Sequence, residues 1–313
     1  MTLRSASITA TGPANTSGTA AVDRRFVVAL ARGLEVLRAF HPGDGMLGNQ
    51  EIAARTGLPK PTVSRLTYTL TRLGYLTRLD RFNTYQIAPA ALTLGFSALA
   101  QIAIRQVCRP YLQALADYAC ASVALGARDR RAMIYLEHCV CNRALSVHLD
   151  VGSRIPIASS AMGRAFIAAL PLDKRAELFA ELEQRYGNDW PALQTSLEQS
   201  MDDFSRRGFV LSIGEWRGDI NGVGVPLVMA DGSGVYAFNC GSAAFSITAD
   251  RLEHDVGPRL VHAVRSIEAV VNGGGAETEI GVSQPGCVGE KMRKLERHTN
   301  VRPTDGRRRR QVG

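Results

Sequence analysis

The segment GLPKPTVSRLTYTLTRLGYL, residues 57–76, carries side chains that could bind a polyanion. If the segment is a helix, four residues that donate hydrogen bonds or carry positive charge fall within roughly 100° of one another. These residues are Ser64, Arg65, Tyr68 and Arg72. The opposite face would hold an apolar stripe made of Val63, Leu66, Leu70 and Leu73. The pattern predicts a helix that packs against a core on one side and meets a polar, anionic partner on the other.

A second stretch that could do chemistry is SSAMGRAFIAALP, which begins at Ser159. Ser159, Ser160 and Ala161 are predicted to open a helix, whose free N–H groups and dipole suit a carboxylate. In INGVGVPL, Gly222 and Gly224 lie in a predicted strand and would let another group approach its backbone closely. The residue types alone fit an ordinary serine cap and a strand bulge equally well, so both interpretations stay open at this point.

The cysteines and histidines do not form a metal-binding pattern. In His138-Cys139-Val140-Cys141, adjacent strand residues would point to opposite faces, and no second Cys/His pair follows at zinc-site spacing. The six cysteines are scattered along the chain at positions 108, 120, 139, 141, 240 and 287. Most are expected to be reduced thiols, in the core or on the surface. We predict no metal and no other cofactor.

Catalytic motifs are absent from the sequence as well. No G-x-S-x-G, H-E-x-x-H, Walker A loop or G-x-G-x-x-G after a strand occurs. The glycines of the run 218–224 have the wrong spacing for a phosphate cradle, and the six histidines include no i, i+4 pair. We therefore do not expect an enzyme.

Two further helices are predicted before the polar one. FVVALARGLEVLRAF, residues 26–40, ends at a Pro-Gly-containing turn, and NQEIAART, residues 49–56, follows with Asn49 as its expected N-cap. The apolar residues at helical spacing in the first helix are Val27, Leu30, Leu34 and Leu37. That stripe makes this helix amphipathic.

The order of these elements favours a helix-turn-helix. Gly57 allows a tight turn after the second helix, and Pro61 suits the first turn of the third, which is then the helix expected to enter the major groove. YLTRL and TYQI flank the loop 80–83 in a pattern typical of a hairpin wing, with Arg78 and Arg81 near its tip. A polar helix face can also be merely solvated, so DNA binding rests on the conjunction of helices, turn, hairpin and charge.

The net charge of +8 is unevenly distributed along the chain. Residues 1–88 carry 11 Lys/Arg and 5 Asp/Glu, residues 89–272 carry 17 and 19, and residues 273–313 carry 9 and 5. This asymmetry predicts one domain that meets phosphate and another with a different task. The first 23 residues lack the apolar block of a signal peptide, and the most apolar stretch, 91–104, is shorter than the roughly 20 residues that cross a bilayer. We expect a cytoplasmic protein without a membrane partner.

Three segments together, ALARGLEVLRAF, NQEIAARTGLPKPTVSRLTYTLTRLGYL and TYQIAPAALTLG, resemble the winged helix-turn-helix and linker of IclR-family transcriptional regulators over residues 26–95. GSRIPIASSAMGRAFIAALP and INGVGVPL resemble the effector-binding domain of the same family, with a weaker match at Asn239-Cys240-Gly241. The resemblance implies a homodimer or dimer of dimers that grips double-stranded operator DNA. It also implies a C-terminal domain that senses a small molecule, here a small carboxylic acid.

The predicted fold is α+β, with an N-terminal winged helix-turn-helix, a linker helix and a C-terminal α/β effector-binding domain whose antiparallel sheet is flanked by helices. Residues 24–88 form the first domain, with the helix-turn-helix at about 49–70, and residues 89–272 form the linker and second domain. Residues 1–23 and the basic tail 273–313 are expected to be disordered. The linker at 89–107 is apolar nearly all round, so it must be buried on several sides. The resemblance implies that it contacts a partner subunit, and the alternative is a helix wedged between domains of one chain.

Strands and helices alternate in the predicted C-terminal domain. The expected strands are 123–129, 132–138, 144–149, 209–214, 222–230 and 234–240. The expected helices are 109–122, 159–171, 189–208 and 249–271.

The residues predicted to contact DNA are Arg24, Arg25, Gln50, Lys60, Pro61, Thr62, Ser64, Arg65, Tyr68, Arg72, Arg78 and Arg81. The resemblance implies an effector pocket among Ser159, Ser160, Ala161, Ser212, Gly222, Asn239 and Cys240. Many family members have a cysteine where Gly222 stands and a serine where Cys240 stands, so ligand identity does not carry over. The small Gly222 suggests room for a larger, aromatic acid.

The predicted function is a DNA-binding transcription factor that controls a catabolic operon in response to a small organic acid. The alternative is a small-molecule-binding or catalytic α/β protein with an accessory DNA-binding module. The sequence does not decide between repression and activation.

Overall fold

The computed structural model describes residues 25–141 and 149–273. Most of the predicted strand at 144–149 and nearly all of both predicted tails lie outside these residues. The predicted α+β fold class is confirmed, with an N-terminal helix-turn-helix followed by a C-terminal α/β domain.

The N-terminal domain combines three helices with a small antiparallel sheet. Its elements are α1 Val28–Arg38, β1 Leu47–Gly48, α2 Asn49–Thr56, α3 Lys60–Arg72, β2 Leu76–Leu79 and β3 Thr84–Ile87. The sheet order is β1-β3-β2, and β2 and β3 form the expected wing hairpin around residues 80–83. Strand β1 was not predicted, because two residues are too few to show a strand period.

The turn between α2 and α3 has a clear local cause. Gly57 ends α2 with a φ of 70°, a left-handed conformation that glycine adopts without steric cost. Asn49 is the first helical residue rather than the predicted N-cap, and the cap is Gly48, whose N–H donates to Glu51 Oε2 at 2.8 Å. The Asn49 side chain instead accepts a hydrogen bond from Thr67 Oγ1 of α3 at 3.2 Å. The two helices are thus joined by both packing and a polar contact.

The apolar stripe of the first helix lies mostly outside this domain's core. Val27, Leu30 and Leu34 are 60%, 62% and 50% exposed, while α1 packs inward through Val36 and Ala39. Spacing reveals a face that needs to be covered but does not say which chain covers it. On α3, similarly, Leu73 is 63% exposed and Thr67 takes the buried position between Val63 and Leu70.

The break between the predicted helices at 89–107 and 109–122 falls earlier than expected, at residues 101–103. Helix α4, Pro89–Ala100, and helix α5, Ile104–Ala119, meet at an angle of 85°. On α4, Leu92 and Phe96 are 61% and 62% exposed, whereas Leu99 packs against the core of the C-terminal domain. Among the described residues no single helix is long and apolar enough to span a membrane, although the bent pair α4–α5 would be by length and composition alone.

The C-terminal domain is a six-stranded antiparallel sheet covered on both faces. Its strands are β4 Ser122–Asp129, β5 Ala132–Val140, β6 Arg154–Pro156, β7 Val210–Ile213, β8 Ile220–Val228 and β9 Val235–Ala243. Its helices after α5 are α6 Ala161–Ala168, α7 Leu172–Tyr186, α8 Trp190–Arg207, α9 Ala249–Arg251 and α10 Gly257–Asn272. The sheet order is β6-β5-β4-β9-β8-β7. Helices α5 and α10 cover one face, and α6 and α8 the other.

Three features of this domain differ from the prediction. Strand β6 and helix α7 were not predicted, and the closing helix is interrupted: a π-helical turn at Leu252–Val256 separates α9 from α10. The extra residue of a π turn shifts the helical register, which a regular 3.6-residue pattern cannot indicate. Gly257 follows this turn because a Cβ there would lie 2.9 Å from the Phe209 ring.

A bulge in β5 separates the two faces of the sheet. Leu125 pairs with Glu137 and Gly126 with Tyr135, which leaves Leu136 as the extra residue. On one side of the bulge, Tyr135 belongs to the core beneath α6. On the other, Glu137 forms ion pairs with Arg105 and Arg109 of α5. Two nearby residues of one strand therefore serve opposite faces.

Candidate DNA-binding surface and effector cavity

Helix α3 presents a polar face that the domain does not cover. Val63, Thr67 and Leu70 anchor the helix in the core of the domain. On the outside, the exposed residues are Lys60, Pro61, Ser64, Arg65, Tyr68 and Arg72. Thr62 is half-buried beside them, and Gln50 is exposed on α2. The face can donate hydrogen bonds and offers three positive charges to an anionic surface.

The wing uses its two arginines differently. Arg78 is held within the hairpin, since its Nε lies 3.0 Å from Asp80 Oδ1 and its Nη2 donates to Asn83 Oδ1 at 3.3 Å. The Arg81 guanidinium lies 5.5 Å from the centre of the Phe82 ring. Within the described residues, Arg78 therefore pairs with a carboxylate, whereas Arg81 contacts an aromatic ring. Of the two predicted N-terminal arginines, Arg25 is exposed and Arg24 lies outside the described residues.

A salt bridge supports the helix-turn-helix from behind. The Arg55 guanidinium of α2 contacts both carboxylate oxygens of Asp44, and its Nη1 donates to the Ala39 carbonyl at 2.8 Å. The hydrogen bond from Arg55 holds the pKa of Asp44 below its usual value, against the opposing effect of burial. The pair fixes the loop after α1 to α2.

A cavity lies between the N-terminus of α6 and the sheet of the C-terminal domain. Its volume is about 30 Å³. The lining residues are Ser122, Tyr135, Leu149, Ile155, Ser160, Ala161, Ser212, Trp216, Ile220, Asn221, Gly222, Asn239 and Gly241. This space accepts a few waters at most, so a larger ligand requires the walls to move.

Five of the seven predicted effector residues come together in this cavity: Ser160, Ala161, Ser212, Gly222 and Asn239. Ser159 and Cys240 are not among its lining residues. The Ser159 carbonyl accepts a hydrogen bond from Ser212 Oγ at 2.7 Å. Cys240 is fully buried in the core beneath α5 and α10, because alternation along β9 turns it away from Asn239.

The start of α6 supplies hydrogen-bond donors to the cavity. Ser160 is the N-cap, and its Oγ accepts from the Gly163 N–H at 3.1 Å and donates to the Pro156 carbonyl at 2.6 Å. The capping serine is therefore satisfied by the protein itself. The remaining N–H groups of the first turn are the ones that can bind an anion.

The two strand glycines have different roles. A Cβ on Gly224 would lie 2.2 Å from the Ala161 carbonyl oxygen, so this glycine is required for α6 to rest on β8. A Cβ on Gly222 would lie 3.5 Å from the Ala161 Cβ, which is an ordinary contact. The close approach suggested by INGVGVPL is therefore that of α6 at Gly224, whereas Gly222 lines the cavity and a Cβ there would meet only ordinary contacts.

A tyrosine that the sequence reasoning missed contributes a polar pair. Asn239 Nδ2 donates to Tyr135 Oη at 3.3 Å, and Asn239 Oδ1 is buried without a hydrogen-bond partner. Burial raises the pKa of Tyr135 to about 12, so its hydroxyl stays protonated. The pair can still donate from the Tyr135 hydroxyl and accept at Asn239. The bulge interrupts the alternation of inward and outward residues in AMIYLEH, so the sequence pattern does not show that this tyrosine points inward.

The lining residues include no lysine or arginine. Arg164 of α6 is only 3% exposed, and it donates to Ser200 Oγ at 3.0 Å and Ser196 Oγ at 2.9 Å and pairs with Glu215. Burial lowers the pKa of Arg164 to about 10. Its charge fastens α6 to α8 and does not serve the cavity. In the described ranges, no group of three or more His, Cys, Asp and Glu side chains could hold a metal.

Ion pairs connect the N-terminal domain to the tip of the β4–β5 hairpin. Arg38 Nη2 lies 3.0 Å from Asp129 Oδ1, and Arg130 Nη2 lies 2.5 Å from Glu35 Oε1. Asp129 also pairs with Arg154 of β6, whose neighbour Ile155 lines the cavity. Partial burial works to raise the pKa of Asp129, but Arg154 and Arg38 outweigh it and lower that pKa.

A second ionic contact lies at the bend of the linker. Glu137 is 4% exposed and lies 2.9 Å from Arg105 Nη2 and 2.5 Å from Arg109 Nη1, both on α5. Arg105 Nη1 also donates to the Leu99 carbonyl at the end of α4, at 3.4 Å. Strand β5 thus touches the effector cavity through Tyr135 and the linker bend through Glu137.

Two family models match the chain in succession. The IclR helix-turn-helix domain matches residues 29–80, and the bacterial transcriptional regulator IclR C-terminal domain matches residues 96–269. Together these ranges contain most of the described residues.

Individual relatives agree with these matches. The HTH-type transcriptional regulator TsaQ1/TsaQ2 of Comamonas testosteroni is 32% identical over 245 residues, which is 78% of this chain and 88% of that protein. The Pca regulon regulatory protein of Pseudomonas putida is 29% identical over 248 residues, or 78% and 84%. The crystal structure of an IclR family transcriptional regulator from Brucella abortus is 46% identical, with a TM-score of 0.75 over 82% of this chain and 97% of that one. These relatives are regulators, not enzymes.

Proposed function

The chain belongs to the IclR family of bacterial transcriptional regulators, and we propose that it controls a catabolic operon in response to a small organic acid. The observation that carries the DNA-binding part is the division of α3 into two faces. Ser64, Arg65 and Tyr68 are exposed while the other side of the helix is locked into the core. Exposed donors on a rigid helix suit base edges and phosphates.

In the proposed complex, the N-terminal half of α3 lies in the major groove. Ser64 and Arg65 then face bases or phosphates, Tyr68 and Arg72 contact the backbone farther along, and Lys60 binds at the entrance of the groove. Arg81 of the wing reaches an adjacent phosphate, whereas Arg78 shapes the hairpin. Two copies of α3 on one operator would occupy successive major grooves about 34 Å apart.

We propose that uncovered apolar residues on α1, just before it and on α4 pack against a second copy of the chain. Large apolar side chains exposed on a soluble domain commonly mark an interface. The residues concerned are Phe26, Val27, Leu30, Leu34, Leu92, Leu94 and Phe96, each at least 50% exposed. The resulting homodimer, or dimer of dimers, presents two recognition helices to double-stranded operator DNA.

The proposed effector is a small carboxylic acid bound in the cavity beside α6. Since the lining offers no cationic side chain, the carboxylate is held by N–H groups of the α6 first turn. Tyr135 and Asn239 supply one donor and one acceptor for a polar group at the other end of the ligand. Because Gly222 has no side chain, the cavity can accommodate an aromatic ring beside it once the walls move.

Binding must displace part of the cavity wall, because the present volume of about 30 Å³ is too small for such an acid. We propose that this displacement reaches the N-terminal domain along β5 and β6. Glu137 transmits it to the linker bend, and the Asp129 cluster transmits it to α1. The effector then favours one arrangement of the linker helices and changes operator affinity.

The regulated operon is inferred from relatives. The glycerol operon regulatory protein of Streptomyces coelicolor is 26% identical over 251 residues, which is 79% of this chain and 96% of that protein. Its name and that of the Pca regulon regulatory protein assign those proteins to particular gene sets. We propose that this chain acts in the same way on a catabolic operon, and in the cytoplasm, where operator DNA is located.

Fluorescence anisotropy with a DNA fragment from upstream of the gene tests the DNA part of the proposal. The fragment should bind more tightly than a scrambled fragment of equal length, and equal binding would overturn it. Thermal shift with aromatic and short aliphatic acids tests the effector part. A shift with an aromatic acid that also alters the anisotropy titration supports the proposal, and no shift with any acid contradicts it.

A further inference from the structure

Two cysteines meet at a corner of the effector-binding domain, where α5 ends and β5 ends. Cys120 follows α5 as its C-cap, and Cys141 follows the last residue of β5. Their Sγ atoms are 3.2 Å apart. The Cys141 N–H donates to the Ala121 carbonyl at 3.4 Å, so backbone pairing holds the two cysteines side by side.

This geometry points to a thiol-modification site, and we propose that Cys120 and Cys141 form a reversible intramolecular disulfide when the protein meets a hydrogen peroxide-type oxidant. A disulfide bond needs its sulfurs about 2.05 Å apart. The two atoms therefore approach by only a little over an ångström, which side-chain rotation can supply.

The backbone at Cys120 supports a role for its side chain. Cys120 has φ 51° and ψ 50°, the left-handed conformation in which side chains are strained. Helices α2 and α8 end at this conformation with Gly57 and Gly208, as helix ends commonly do. A cysteine in the same position costs stability that a glycine would not. The presence of a thiol at this strained position is consistent with a function for the sulfur.

Exposure distinguishes this pair from the other described cysteines. Cys120 is exposed and Cys141 half-buried, whereas Cys108, Cys139 and Cys240 are buried. Burial raises the pKa of Cys108 and of Cys240 to about 12 and also raises that of Cys139. Thiols of this kind form little thiolate and react slowly. An oxidant in solution should therefore reach Cys120 first.

The chemistry balances with the peroxide alone. The Cys120 thiolate attacks one peroxide oxygen, the O–O bond breaks, and hydroxide leaves and takes up a proton to give water and a sulfenic acid. The Cys141 thiolate then attacks the Cys120 sulfur, the S–S bond forms, and a second hydroxide leaves as water. Two thiols lose two electrons in total, and the peroxide gains them.

The disulfide would restrain the wall of the effector cavity. Ser122, two residues after Cys120, lines the cavity, and its Oγ lies 2.6 Å from Nε2 of His138, three residues before Cys141. Joining the two cysteines closes the corner that this hydrogen bond spans. Oxidation should therefore reduce the ability of the cavity to open, independently of which ligand it binds.

The test uses the full chain with Cys287→Ser, because Cys287 lies outside the described residues and would add a thiol of unknown surroundings. The protein is treated with hydrogen peroxide, blocked with N-ethylmaleimide and mapped by mass spectrometry. We expect a Cys120–Cys141 cross-linked peptide that lacks two hydrogen atoms and disappears with dithiothreitol. Over-oxidised Cys120 without a cross-link, or disulfide-linked dimers on a non-reducing gel, would overturn the proposal.

Three further substitutions sharpen the result. Cys120→Ser and Cys141→Ser should each abolish the cross-link, and Cys141→Ser alone should leave a sulfenic acid at Cys120 that dimedone traps. Cys139→Ser, a buried neighbour, should leave the cross-link in place. Acrylamide quenching of tryptophan fluorescence reports mainly on Trp216 of the cavity, because Trp190 is buried in the core. We expect weaker quenching in the oxidised protein than in the reduced protein. Equal quenching in both forms would exclude the effect on the cavity.

Discussion

Arg38 of the DNA-binding domain lies 3.0 Å from Asp129 at the tip of the β4–β5 hairpin, so an ion pair joins α1 to the sheet that walls the effector cavity. Asp129 also forms an ion pair with Arg154, and Glu35 forms one with Arg130 beside it. If this cluster transmits the effector signal, its removal should uncouple the domains without unfolding either one.

Asp129→Asn tests this coupling. The substitution leaves Arg38 and Arg154 without their shared carboxylate, and we expect the DNA affinity of the variant to respond less to effector while the effector Kd stays close to that of the parent protein. Asp202→Asn, which removes an exposed carboxylate from α8, is the matched control. Anisotropy titrations with and without effector measure the effect, and an undiminished response in Asp129→Asn would refute the coupling role.

The same carboxylate gives a pH dependence. Because the pKa of Asp129 is lower in the folded protein than in the unfolded chain, its contribution to stability is present above the unfolded value of about 3.9 and is lost as pH falls through the folded value. Contact between the domains should therefore persist from neutral pH to about pH 4 and weaken below it. Small-angle scattering across that range would show the change, and Asp129→Asn should remove the part due to this residue.

Ser64→Ala combined with Arg65→Ala should abolish preference for the operator. Both side chains are exposed, so we expect the free energy of unfolding to change by less than about 0.5 kcal/mol. If Arg65 contacts one phosphate, Arg65→Ala alone should also lower the slope of log affinity against log salt by about 0.9. Arg185→Ala, which removes an exposed charge from α7, controls for charge loss. Operator binding that survives the double substitution would contradict the proposed DNA contact.

Phe96→Asp tests the proposed dimer contact on α4. Phe96 is 62% exposed in the single chain, so a charge there should be tolerated by the monomer but not within an apolar interface. Sedimentation should show a shift toward monomer, together with weaker operator binding. Leu172→Asp places the same charge on a 79% exposed residue of α7 and should leave the assembly intact. Equal sedimentation of the two variants would place the dimer contact elsewhere.

The two glycines of β8 predict opposite outcomes. Gly224→Ala should destabilise the C-terminal domain by about 1–3 kcal/mol, because its Cβ would meet the Ala161 carbonyl oxygen at 2.2 Å. Gly222→Ala should fold with near-parental stability, since its nearest side-chain contact is 3.5 Å, and should weaken binding of the bulkier acids more than that of the smaller ones. Thermal unfolding and ligand titration distinguish the two. Similar losses of stability would show that Gly222 serves packing as well.

The N-terminal elements could be predicted because their signals are local. Gly57 and Pro61 set the ends of α2 and α3, and alternation around residues 80–83 identified the wing. These local patterns do not show which chain covers an exposed apolar face. The stripe on α1 has regular helical spacing, but Leu30 and Leu34 are exposed because this chain does not cover them.

In the C-terminal domain, the residues of the cavity were predicted where they belong to a helix start or to segments that resemble the family. Ser160 and Ala161 lie at the predicted helix start, whereas Asn239 was included because of the family resemblance. Cys240 was included because of the family resemblance, but β9 turns it to the other core. Tyr135 was missed because a bulge changes the period of β5 within two residues.

That bulge has an evolutionary consequence. If the cavity binds the effector as proposed, mutations on the cavity side of β5 can alter which molecule is recognised, while Leu136 separates them from Glu137 and the linker. Under the same proposal, substitutions on the other side can retune the strength of the output without affecting recognition. A single inserted residue thus lets the input and the output of a genetic switch diverge separately during descent.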